Sequence, residues 1–130
     1  MLTGALSKLT IKDKIALPPG RAPVLYRLQF KKRRAAYRKR FTRQHGRPVD
    51  ALSEEDYSPV RFFIDVWGEI VERTIVTPGY LERLDRPCYY ALLNWMRGAD
   101  VGKRGRSRLT WEDLGVATEQ QILDLLLRKN

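Results

Sequence analysis

The chain has 130 residues, of which 43% are hydrophobic, with three Trp; that suits one modest folded core and is too apolar for a disordered basic tail. The formal net charge is +10 and its distribution is lopsided: residues 14–49 hold 12 Lys/Arg and no acid, whereas the other 94 residues hold 13 Lys/Arg against 15 Asp/Glu. Cys88 is alone and so is His45, which excludes an intrachain disulfide and a zinc site of about four Cys/His ligands, and no run approaches the ~18 apolar residues of a membrane span.

Taken together, these features predict an all-α protein, a compact bundle of about four to six helices over residues 1–130. Residues 1–23 read as an N-terminal arm and 24–130 as the helical core. A reducing, cytoplasmic setting is expected from the single thiol and the lack of a signal-peptide-like apolar run. In the arm, Leu6, Leu9, Ile11 and Ile15 suit a loose helix or an extended segment, packed on the domain or on a neighbouring subunit. Pro18-Pro19-Gly20 and Pro23 end it.

The first long helix is expected from about Val24 to His45, stopped by Gly46 and Pro48. At about 100° per residue, Tyr26, Phe30, Tyr37 and Phe41 share one narrow stripe. Arg27, Lys31, Arg34 and Arg38 run beside it. Leu25, Leu28, Ala35 and Ala36 form a second, weaker apolar strip. Like charges one turn apart repel, so this helix calls for a polyanion or an acidic face.

Ser53-Glu54-Glu55-Asp56 resembles a helix start, with acids at the positive end of the dipole; Ser58-Pro59 offers an alternative cap. A second long helix follows, about Pro59 to Val76. Val60, Phe63, Ile64, Trp67, Ile70 and Val71 form its core face, and Asp65, Glu69 and Glu72 line the opposite side. Thr77-Pro78-Gly79 and Asp85 with Pro87 punctuate two further helices, about Tyr80 to Leu84 and Arg86 to Arg97. Cys88, Leu92, Trp95 and Met96 share one side of the latter. The cluster Tyr89, Tyr90 and Trp95 reads as core, with a base-stacking platform as the alternative. Residues 98–108 read as a Gly/Arg-rich loop. Thr110 to Asp113 reads as a short capped helix. A last helix begins at Thr118-Glu119-Gln120, with Ile122, Leu123, Leu125 and Leu126 as its buried side. No strand is expected, because alternation of period two is absent.

Catalytic constellations are absent: no H-E-x-x-H helix, no G-x-x-x-x-G-K-[ST] loop, no nucleophile beside a base. The expectation is therefore a non-enzyme without cofactor or metal, a metal-dependent nuclease built on scattered acids being the catalytic alternative. The cations point instead to phosphate. Arg outnumbers Lys in both basic segments, and Arg binds phosphate in a bidentate manner. Few Asn or Gln accompany them, so backbone tracking is expected and base readout is not. The candidate nucleic-acid-binding residues are Arg27, Lys31, Arg34, Arg38, Lys39, Arg43 and Arg47 on the first helix and its exit, and Lys103, Arg104, Arg106 and Arg108 in the loop. The expected partners are RNA or DNA, through the phosphate backbone, and other protein subunits, including further copies of the chain; no membrane is expected. The alternative is an assembly module whose basic helix docks on an acidic protein, or a phage or plasmid DNA-binding protein.

Three resemblances accompany this reading. Leu114-Gly115-Val116-Ala117-Thr118 resembles the turn of helix-turn-helix domains, but the helix behind it leads with Glu119 and Gln120, acid and amide where a DNA reader needs cations. Leu25-Tyr26-Arg27, with Phe41 downstream, resembles the tripeptide of mitochondrial LYR proteins, which are small, basic and helical. In size, charge and class the chain is similar to the helical small subunits of CRISPR-type effector complexes. That resemblance implies a non-catalytic subunit supporting a nucleic-acid strand.

Overall fold

The computed structural model describes residues 11–51, 53–97 and 109–128. Within them lie five α-helices: α1 (Tyr26–His45), α2 (Pro59–Arg73), α3 (Pro78–Leu84), α4 (Arg86–Met96) and α5 (Glu119–Arg128). Short 3-10 turns occur at Ile11–Asp13 and Glu112–Leu114. The architecture is the compact helical bundle that the sequence predicts. No strand occurs among the described residues; a single parallel bridge joins Ala16 to Thr74. None of the described helices is long and apolar enough to cross a membrane.

Helix starts follow local chemistry. Ser58 caps α2, its Oγ accepting from the Arg61 N–H, and Thr77 caps α3 by accepting from Tyr80. Pro59 and Pro78 stand where the missing N–H costs nothing. The helix start expected at Ser53 does not form, and the alternative cap at Ser58 is the one used. Glu55 instead donates its N–H to Ser53 Oγ in a turn. Pro59 disfavours helical backbone at Ser58, whose ψ is 167°, so no helix could run from Ser53 through to α2. At the other end of α1, Gly46 takes φ 70° and returns its N–H to Thr42 O at 2.8 Å, closing the helix.

The core centres on α2. Trp67, Phe62, Phe63 and Val71 are fully buried, together with Leu81 of α3 and Cys88 and Leu92 of α4. Val76, Leu114 and Val116 complete it, the last two delivered by the 109–117 segment. Phe62 lies outside the predicted core face of α2. It is buried because α1 covers that second side: Phe62 meets Tyr26 edge-on at 5.1 Å and Phe30 at 6.1 Å. Cys88 packs in the core, and burial of its thiol pushes its pKa up.

One carboxylate ties three helices together. Asp85, at the end of α3, caps α4 through Oδ1, accepting from Cys88 N, and with Oδ2 accepts from Tyr26 N, the first residue of α1, at 2.9 Å. Leu25 precedes α1 and offers it no side-chain cap, so Asp85 serves from 59 residues away. Burial pushes the Asp85 pKa up, partly offset by the hydrogen bonds from Tyr26 and Cys88.

The N-terminal segment packs on the domain through its backbone. Ile15 N and Ala16 N both donate to Arg73 O, and Lys14 Nζ reaches Gly115 O at 3.0 Å. Ile15 and Leu17 themselves are 93% and 91% exposed. Leu6 and Leu9 lie outside the described residues. The last helix departs from expectation. Ile122 and Leu125 of α5 are half-buried, but Leu123 and Leu126 are exposed, as is Leu127, and no residue of the helix is fully buried. Its principal neighbour among the described elements is the Ile11–Asp13 turn, a contact too small to cover an apolar arc of that width.

Candidate nucleic-acid interface

α1 lies on the bundle by its aromatic stripe. Tyr26 and Phe30 stack at 4.6 Å, Phe30 meets Tyr57 at 5.8 Å, and Tyr37 meets both Tyr57 at 5.7 Å and Phe41 at 6.2 Å. Phe41 is buried, and the other three pack half-buried against the core. Guanidinium groups cover the stripe's edges. Arg61 sits over the Tyr37 ring at 4.9 Å, Arg33 over Phe62 at 5.8 Å and Arg47 over Phe41 at 5.1 Å. His45 stacks on Phe41 at 4.1 Å. Its Nδ1–H donates to Phe41 O at 3.1 Å, as a helix C-terminal residue can.

The candidate cations divide into two sets. Arg34 and Arg38 point toward Asp56, which is 6% exposed. Arg34 donates from Nε and Nη2 to Oδ2, at 3.1 and 2.6 Å. Arg38 donates from Nε to Oδ1 at 2.9 Å and from Nη2 to Oδ2 at 2.7 Å. The Tyr57 N–H adds a fifth bond, to Oδ1. Burial alone would push the Asp56 pKa up, but the bonds from Arg38, Arg34 and Tyr57 outweigh it and bring it down to about 2. The acid that answers α1 is thus Asp56, in the turn before α2, and not the Asp65, Glu69, Glu72 strip. Asp65 instead accepts the Tyr57 hydroxyl proton at 2.8 Å. Burial, with that bond second, pushes the Tyr57 phenol up to about 12. Arg47 also has a protein partner, Glu55, at 3.0 Å on the surface.

Arg27, Lys31, Lys39 and Arg43 are exposed, and the structure adds Lys32 and Arg40 to them. None of the six forms an ion pair with a described residue. Lys32, Lys39 and Arg43 stand opposite the aromatic stripe, with the others on its two flanks. From Arg27 to Arg43 the set extends roughly 24 Å along the helix at 1.5 Å per residue. A wheel centred opposite Tyr26, Phe30, Tyr37 and Phe41 is the sequence signal that picks out Lys32. Lys103, Arg104, Arg106 and Arg108 lie outside the described residues.

Between the N-terminal half of α1, the 53–58 turn before α2 and α4 the surface opens into a cavity of about 250 Å³. Tyr26, Phe30, Arg34, Tyr57, Asn94 and Trp95 contribute to its walls. Among the described residues no group of three or more His, Cys, Asp or Glu is placed to hold a metal ion. Of the other aromatic candidates, Tyr89 stacks on Trp111 at 5.5 Å, whereas Tyr90 is exposed and hydrogen-bonds Glu82. No family model, curated protein or solved structure matches the chain.

Proposed function

We propose that the chain is a non-catalytic, sequence-independent nucleic-acid-binding protein that holds a sugar-phosphate backbone along the outer side of α1. One observation carries this reading: the fold pairs Arg34 and Arg38 with its own Asp56 and leaves Arg27, Lys31, Lys32, Lys39, Arg40 and Arg43 exposed without an acidic partner among the described residues. Arg27 with Lys31 and Lys39 with Arg43 stand at i,i+4, where like charges repel. A row of phosphates removes that repulsion and releases its own condensed counterions. A small protein of this kind suits an accessory subunit of a larger nucleoprotein complex, and the helical small subunits of CRISPR-type effectors are one example of such a part.

Fluorescence anisotropy against labelled single-stranded RNA, single-stranded DNA and duplex DNA across a salt series tests it. Log affinity should fall with log salt at about 0.7–0.9 per phosphate contact, summing to roughly 4–5 for a row of six cations. Flat traces with all three ligands at low salt would show that the row serves an acidic protein face. Copurifying material that resists nuclease would then identify that face.

A further inference from the structure

The geometry points to the cavity beside α1 as a pocket for one unstacked nucleobase, which makes the ligand a single strand; this rests on the backbone-binding role proposed for α1. The cavity, at about 250 Å³, falls below the ~300–1,000 Å³ of pockets for drug-sized molecules, so it suits one ring system and not a dinucleotide cofactor. Its walls carry four aromatic side chains, Tyr26, Phe30, Tyr57 and Trp95, drawn from three separate elements. Aromatic faces are what sequence-tolerant single-strand binders offer to bases. Asn94, an exposed residue of α4, brings an amide with both donors and an acceptor to the rim. The one carboxylate in the walls, Asp56, is already answered by two arginines, so it presents no unopposed negative charge to an incoming nucleotide.

Position supplies the second argument. Tyr26 and Phe30, in the pocket, are followed directly in α1 by Arg27 and Lys31, both exposed. Phosphates held by Arg27 and Lys31 would lie at the lip of the cavity, one helical turn apart, with the base between them free to enter. A duplex keeps its bases stacked and paired and cannot deliver one there without paying for its extrusion.

The experiment compares a labelled 12-mer of single-stranded DNA with an abasic 12-mer of the same backbone, using the full chain and two pocket-filling variants, Ala51→Trp and Asn94→Trp. Both positions are on the surface side of the cavity or its rim, and far-UV circular dichroism checks the fold of each variant. The base-bearing strand should bind ~10-fold tighter than the abasic one, with equal salt slopes, and filling the pocket should abolish that difference while abasic binding persists. Equal affinity for the two strands, both steeply salt-dependent, would overturn the pocket and leave the backbone reading standing. A preference for bases that survives both substitutions in folded protein would also overturn it, by placing the base contact elsewhere. No binding of either strand would remove the backbone reading and the pocket with it.

Discussion

α1 carries two populations of cation that look alike in sequence and differ in what surrounds them. Arg34 and Arg38 converge on one buried carboxylate and fasten the helix to the turn before α2. Lys32, Lys39 and Arg43 stand exposed on the far side. The first set is paired inside the protein; the second is exposed and has no acidic partner among the described residues. A basic run therefore cannot be read as a uniform footprint, because two of its arginines are recruited into the fold by an acid distant in sequence.

The sharpest way to break this distinction is to reverse the outer charges. Lys32→Glu, Lys39→Glu and Arg43→Glu together should weaken binding to single-stranded nucleic acid by ~10³-fold near 0.1 M salt, with the melting temperature nearly unchanged. Loss of the fold, or unchanged affinity, would contradict the division. The inner set should respond in the opposite sense. Asp56→Ala should lower unfolding free energy by about 2 kcal/mol in a denaturant titration and leave the salt slope of binding intact. That figure lies below the ~3–5 kcal/mol of a fully buried broken pair, because both arginines are about one-third exposed and can rehydrate. The smallest effect is the acid response. The folded pKa of Asp56 is depressed to about 2, so its contribution is complete above the ordinary carboxylate range and is lost as pH falls from about 4 toward 2. Wild-type stability should drop by on the order of 1 kcal/mol more than that of Asp56→Ala across that window. Parallel pH profiles would show that Asp56 is not held by its arginines.

Much of the fold was legible because its signals are local. Thr77-Pro78, Asp85 with Pro87, and Gly46 before Pro48 each act within one turn, and each marks a helix end in the structure. The site was legible in part. Placing Tyr26, Phe30, Tyr37 and Phe41 on one stripe gave the docking side of α1, but nothing local links Arg34 and Arg38 to Asp56, 22 and 18 residues on. The acids of residues 53–56 fit a helix N-terminus equally well as a motif; only the backbone restriction imposed by Pro59 separates the two outcomes. α5 shows the complementary failure. Its apolar pattern is clear, yet Leu123, Leu126 and Leu127 remain exposed, since periodicity describes a face and not what covers it.

Asp85 also bears on how the molecule opens. Oδ1 and Oδ2 of one side chain bind the first turns of α4 and α1, so neither helix can fray at its start without loosening the other. The two ends should therefore open as a single cooperative unit, despite their distance along the chain. Native-state hydrogen exchange should then find the amides of Tyr26 and Cys88 equally protected. A strand pulling on the cationic helix would be resisted by the packing of the α3–α4 hairpin as well as by α1 itself.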